Sequence, residues 1–471
     1  MDLVIAGGTV VLQSDLLAAD VVVTEGKVSA LTAHQARRGH DIEIIDARGA
    51  LVLPGGVDVH THIALEFGEY QTRDDFSSAT RAAALGGTTS VLEFAIPKDD
   101  ETPRAAVDRR LRQAGGSAHI DYGFHACVVR SADEASLADI AALAERGVTS
   151  VKVFTAYRGV VMLELGDVRA VMETAARSGT LVMVHAETEA IIERSTSELE
   201  SRGRLHPQNM PSARPAEAEV DAARSVLDLA ALTGAAVYLV HVTLPEVANA
   251  IARVRSRGIA AYGESCPHYL LLDDSMYQSV HPELFVCSPP LRPAAAADAL
   301  WPYLGRELVG VHSDHCCFDR EQKGRYPDDL TRIPPGLPGI QTRFPLMLSE
   351  AFDGRISLQK LVALVATEPA RLFSIPHKGS LLPGYDADAV VVDPTGTTVL
   401  RGGADMDTDY SPFEGRRLRG RIRDVVSKGR VLVRDGDWTG LAAAGAFLPR
   451  GRTSGMIGDA SVRAELLPAN S

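Results

Sequence analysis

The run Val57-Asp58-Val59-His60-Thr61-His62 sets two imidazoles at i and i+2. Side chains alternate faces along a strand, so His60 and His62 point the same way. Two neutral imidazole nitrogens aimed into one space suit zinc and similar ions. Alone, such a pair on an exposed strand is weak evidence of a site. Further along, single polar residues stand in or at the ends of apolar runs. Lys152 lies in Ser150-Val151-Lys152-Val153-Phe154, His185 ends Leu181-Val182-Met183-Val184-His185, and His241 ends Val237-Tyr238-Leu239-Val240-His241. Asp314 sits in His312-Ser313-Asp314-His315. Each has a plain reading of its own: a core histidine bonded to a carbonyl, a lysine snorkelling to a barrel mouth, a helix cap. Four His, one Asp and one Lys converging on one rim have no economical structural explanation. A cationic lysine among metal ligands would be repelled. The set is consistent only if the amine is neutral and takes up CO2 as a carbamate, whose anionic oxygens bridge two metals.

These residues share a site only if regular elements carry them to one rim. Residues 1–53 read as short β-branched strands: Leu3-Val4-Ile5, Thr9 to Leu12, Asp20 to Val23 and Glu43-Ile44-Ile45, with a hairpin signal at Glu25-Gly26-Lys27. From residue 54 to 375 apolar runs alternate with Ala-rich helical segments such as Ala216 to Leu232 and Leu244 to Arg257. With the His60 strand, the runs at Ser90, Ile120, Ser150, Leu181, Val237, Ile259 and Leu308 make about eight β/α units, the signature of a (β/α)8 TIM barrel. An open doubly wound sheet is the rival, but no glycine-rich phosphate fingerprint follows the early strands. Residues 376–440 return to strand texture at Asp388 to Val392 and Asp424 to Val433. The two chain ends are therefore expected to form one small β-sandwich domain, leaving 441–471 as a Gly/Ala-rich tail.

Composition narrows the function. The 471 residues carry 48 Lys+Arg against 61 Asp+Glu, a net charge of −13, which disfavours nucleic acid and anionic membrane as partners. Hydrophobic residues at 45% and charged ones at 23% are ordinary for a globular protein. Five scattered cysteines imply no disulfide framework, and neither a signal peptide nor a membrane-length apolar run is seen. The expected location is the cytoplasm.

The joint pattern resembles the cyclic amidohydrolases of the dihydropyrimidinase and D-hydantoinase family. The resemblance rests on Pro54 to His62, Arg81 to Thr89, Lys152 to Tyr157, Val184 to Glu187, Cys287 to Arg292, Ser313 to Cys316, Thr331 to Gly339 and Tyr410 to Gly415, in order along the chain. It implies ring opening of hydantoins or dihydropyrimidines by two divalent metal ions, Zn2+ expected. His60, His62 and Asp314 would hold one ion, His185 and His241 the other. Lys152 would bridge them as N6-carboxylysine. Tyr157 would steady the oxyanion, Asp314 would move the proton, and Ser288 and Pro335 would hold the ring amide edge through backbone groups. A homotetramer is implied as well.

There are departures from the family pattern. Pro335 stands where an Asn is usual, so a carbonyl acceptor remains but the N–H donor is gone. Thr188 replaces the Asn that usually follows His-Ala-Glu, and Val161 replaces an aromatic gate residue. Among rivals, dihydroorotase-like chains carry an Arg shortly after the HxH to clamp a carboxylate; here Ile63-Ala64-Leu65 follows. Cys266-Pro267-His268-Tyr269 is shared with allantoinases, which keeps that ureide hydrolase as the alternative. A non-catalytic scaffold of the same fold is disfavoured, because such proteins have lost metal ligands and all six positions are filled here.

Overall fold

The computed structural model describes residues 3–34, 42–402 and 408–452. Eight parallel strands form a closed barrel: Gly56–His62, Thr88–Ala95, Asp121–Cys127, Ser150–Phe154, Leu181–His185, Val237–Leu239, Ala261–Ser265 and Leu308–Val311. Each pairs in parallel with the next, and the short extension His315–Cys316 pairs with Thr61 and His62 to close the ring. Parallel strands are buried on both faces, which is why they read as continuous apolar runs. In the barrel, Val57, Val59, Leu92, Phe94, Met183 and Tyr238 fill one interior cluster. A larger cluster packs the helices onto the outside of the sheet.

The helices follow their sequence signals. Ala216–Thr233 ends on Gly234 in the left-handed conformation (φ 73°), and Pro245–Arg255 opens with proline at its first turn, where no N–H is required. Among the described residues no helix is long and apolar enough to cross a membrane.

The chain ends build two sheets of a β-sandwich. Lys27–Thr32, Asp20–Thr24, Leu3–Ala6 and Glu43–Asp46 form a four-stranded sheet; the turn between its first two strands holds Glu25 and Gly26 at positive φ (51° and 75°), as a tight hairpin requires. The seven-stranded sheet joins Thr9–Val11 and Leu51–Pro54 from the N-terminal end to Ala389–Val399, Arg417–Ser427 and Arg430–Arg434 from the C-terminal end. Leu3, Val10, Val21, Val52, Val391 and Val426 make its shared core. Where sandwich meets barrel, the buried Lys378 Nζ lies 2.7 Å from Asp121, 3.1 Å from Asp386 and 2.8 Å from Asp388.

The first part of the expected tail has a defined place. Residues 445–451 run along the N-terminal ends of the barrel strands: Tyr122 N donates to Ala446 O, Leu448 N to Tyr122 O, and Arg450 N to Gly147 O. Gly445 permits this approach, since a Cβ there would come within 1.9 Å of Ile120 O. Leu448 joins the interior barrel cluster, and the buried Arg450 donates to Ser150 Oγ at 2.9 Å. The rest of the tail, 453–471, lies outside the described residues.

Candidate active site

The strand ends deliver the chemistry to one rim. His60 and His62 sit at the end of Gly56–His62, with ring centroids 5.4 Å apart, as the two-residue alternation requires. His185 ends its strand, and His241 lies two residues past Val237–Leu239 with φ 39°. Asp314 occupies a left-handed residue (φ 47°) between Leu308–Val311 and His315–Cys316, which turns its carboxylate into the barrel. Two groups of donors result. In the first, Asp314 Oδ1 is 2.9 Å from His60 Nε2 and 3.3 Å from His62 Nε2. In the second, His185 Nδ1 is 2.9 Å from His241 Nε2. The His60 and His241 rings are 5.5 Å apart, so the groups adjoin. The Lys152 amine lies between aromatic faces, 5.0 Å from Phe94 and 5.1 Å from Phe154.

The electrostatics favour a cation. Burial alone would depress His60, but Asp314 and Glu264 outweigh it and pull it up to about 9. The same carboxylate field favours any positive charge at that point. Burial pushes His62 down to about 4 and lowers His185 and His241, leaving neutral imidazoles, the form that binds metal. His60 Nε2 is buried without a hydrogen bond, although Asp314 Oδ1 is close: the oxygen lies off the ring's N–H axis. His60, His62 and Asp314 each offer one donor atom, all within 4.8 Å of one another, so the donor set fits a metal ion. Burial lowers Lys152 to about 8, against the pull of Glu264 and Asp314.

Partners behind these residues fix their orientation. Glu264 is hydrogen-bonded to His60 Nδ1, and Glu187 Oε2 lies 2.8 Å from His185 Nε2. Carboxylates that hold the outer nitrogen of a ligating histidine set its tautomer and ring direction. Glu187 is itself gripped by Arg214 at 2.5 and 3.1 Å; burial would raise its carboxyl, but Arg214 and His185 bring it down to about 2. The Arg214 guanidinium also lies 4.9 Å over the Tyr157 ring. Glu93 accepts from Thr61 Oγ1 at 3.0 Å and Ile63 N at 2.8 Å, bracing the backbone around His62, and pairs with Arg110 at 3.1 Å.

Tyr157 adopts φ 70°, with its N–H donated to Glu189 at 2.8 Å. Burial keeps its hydroxyl's pKa up at about 12 despite Arg214 and Ser288, which act to lower it. Tyr157, Ser288 and Pro335 line one cavity of about 410 Å3 with His60, His62, Lys152, His185, His241 and Asp314. Leu65, Phe67, Ile96, Phe154 and Val161 give the cavity an apolar side. The nine residues expected in the site from the sequence thus line one cavity. Sequence reasoning passed over Glu264, Glu93 and Arg214; the first two were visible only as lone acids inside apolar runs, and Arg214 carried no local signal.

The amidohydrolase family pattern matches residues 51–432. The chain belongs to the amidohydrolase family. It is 38% identical to a D-hydantoinase of Streptomyces coelicolor, over 95% of this chain and 97% of that one. A D-hydantoinase of Geobacillus stearothermophilus is 36% identical, over 98% and 99%. The crystal structure of a dihydropyrimidinase from Brevibacillus agri superposes with a TM-score of 0.92 at 37% identity, covering 96% of this chain and 99% of that one. This amidohydrolase therefore shares its barrel, its sandwich and a metal centre with its family. Arg110, which lines the cavity, is held by Glu93 and the Ile63 carbonyl.

Proposed function

We propose that this amidohydrolase hydrolyses the cyclic amide bond of hydantoins or dihydropyrimidines, opening the ring to an N-carbamoyl amino acid. The observation that carries the reading is the adjoining of two donor groups, His60/His62/Asp314 and His185/His241, across a buried Lys152 in a cavity with one apolar side. His60, His62 and Asp314 would hold one divalent ion and His185 with His241 a second, zinc being suited to such nitrogen and oxygen donors. Lys152, as N6-carboxylysine, would offer an oxygen to each. Bound there, the ions lower the pKa of water and polarise the ring carbonyl.

The chain's own residues account for the remaining demands of the reaction. Asp314 accepts the proton of the attacking water and delivers it to the leaving ring nitrogen, acting as base and then acid. Tyr157, protonated throughout the neutral range, donates a hydrogen bond to the oxygen on which charge develops. Ser288 and the Pro335 carbonyl orient the amide edge, and Leu65, Phe67 and Phe154 exclude water beside the ring substituent. The enzyme acts as a homotetramer in the cytoplasm; five free cysteines suit a reducing compartment.

A ring-opening screen over hydantoins, dihydropyrimidines, allantoin, dihydroorotate and cyclic imides tests the reading. Hydantoins or dihydropyrimidines should have the highest kcat/KM. Faster turnover of dihydroorotate or allantoin would replace it with that activity.

A further inference from the structure

A second cavity, of about 420 Å3, lies against the first. Phe67, Gly68, Tyr157, Ser288 and Pro335 line both, so these five residues form the partition between them. Its other walls are mainly apolar: Ile192, Met210, Ala213, Val286, Leu330 and Ile333. The charged groups that also line it are already engaged: Arg214 by Glu187, and Glu69 with Arg325 at 2.9 Å and Arg332 at 4.0 Å. The volume is in the range that holds a small ligand or a large substituent of one.

The partition is the face that meets the hydrogen-bonding edge of a ring in the first cavity. Pro335 brings no N–H to that face, so a ring atom turned toward it receives no hydrogen bond from this residue. A ring N–H turned toward this face has the Pro335 carbonyl as its acceptor, so a substituted ring nitrogen forgoes that one hydrogen bond, and its substituent needs apolar space, which the second cavity offers. Gly68, at φ 58°, has no atom within 4 Å of where a Cβ would stand, so the partition is loosely packed at this point.

We propose that the second cavity is a subsite for an apolar alkyl or aryl group carried on a ring nitrogen of the cyclic amide. Substrates of this class bear two substituents: one on ring carbon, in the apolar side of the first cavity, and one on nitrogen, in the second. The inference rests on the hydrolase reading above and deepens it.

The test compares a 5-substituted hydantoin with its N1-benzyl and N3-benzyl counterparts, on the wild-type enzyme and on Thr196→Trp and Thr331→Trp. Thr196 is half-buried and Thr331 exposed, and both line the second cavity, so an indole there fills space without entering the protein core. One benzyl compound should be opened with a kcat/KM at least equal to the parent's. Each Trp variant should lower the benzyl-to-parent ratio about 10-fold, mainly through KM. If both benzyl compounds are inert while the parent is opened, or if neither variant moves the ratio, the subsite is overturned and the hydrolase reading stands. If no ring compound is opened, the hydrolase reading itself fails.

Discussion

The proposed carboxylation of Lys152 can be followed apart from catalysis, because burial changes how much of its amine is neutral. Only the neutral amine attacks CO2, forming an N–C bond and releasing a proton. At a pKa of about 8, roughly one amine in ten is neutral at pH 7, against about one in three thousand at the ordinary value of 10.5. Carbamate formation should therefore run about 300-fold faster than at a solvated lysine of equal nucleophilicity. Metal-depleted protein mixed with 13CO2 at fixed dissolved CO2 should show a rate that climbs with pH and bends to a plateau above pH 8. A rate still rising tenfold per pH unit beyond pH 9 would mean an ordinary lysine and would refute the argument. Lys152→Ala should lose most of the metal and activity together, with partial recovery on adding a small carboxylate. Lys152→Arg should not recover, since a guanidinium stays charged. A fully active enzyme holding two metals with an unmodified amine would defeat the bridging role.

Other perturbations separate the remaining roles. Tyr157→Phe should lower kcat about 10²-fold with KM little changed, as expected for a donor used only when charge develops; a raised KM with kcat intact would make Tyr157 a binding residue instead. Lys378→Met leaves Asp121, Asp386 and Asp388 short of a shared cation at the junction of barrel and sandwich, and should cost about 3 kcal/mol in denaturant unfolding; a loss below about 1 kcal/mol would show that Lys27, 2.9 Å from Asp386, and Lys428, 2.6 Å from Asp121, suffice. A form ending at residue 440 loses Leu448 and Arg450 from the barrel end, so its melting temperature should fall. Its sedimentation should also change if the tail joins subunits; a monomer in both forms would rule out the tetramer.

What the sequence revealed and what it hid follow one physical division. Strands buried on both faces must be apolar throughout, so His60, His62, Lys152 and His185 stood out as exceptions, and eight such runs announced a barrel. Asp314 was visible as a residue, but the break that aims it was not: the eighth strand is split, and a non-glycine residue holds positive φ between the halves. Ala389–Val399 was legible only to Val392, because Pro394 and Gly396 read as a turn; the register shift between Asp393 and Thr397 shows how the strand absorbs them. The tail read as shapeless for the reason it docks: small residues without periodicity are what a backbone needs to lie against another, as Gly445 does against Ile120. Arg214 shows the same limit at the site. Its guanidinium links Glu187, which holds His185, to the face of Tyr157, so one side chain couples the proposed metal-binding group to the proposed oxyanion donor. None of those partners is near it in sequence, and their association exists only once strands Ser150–Phe154 and Leu181–His185 stand side by side.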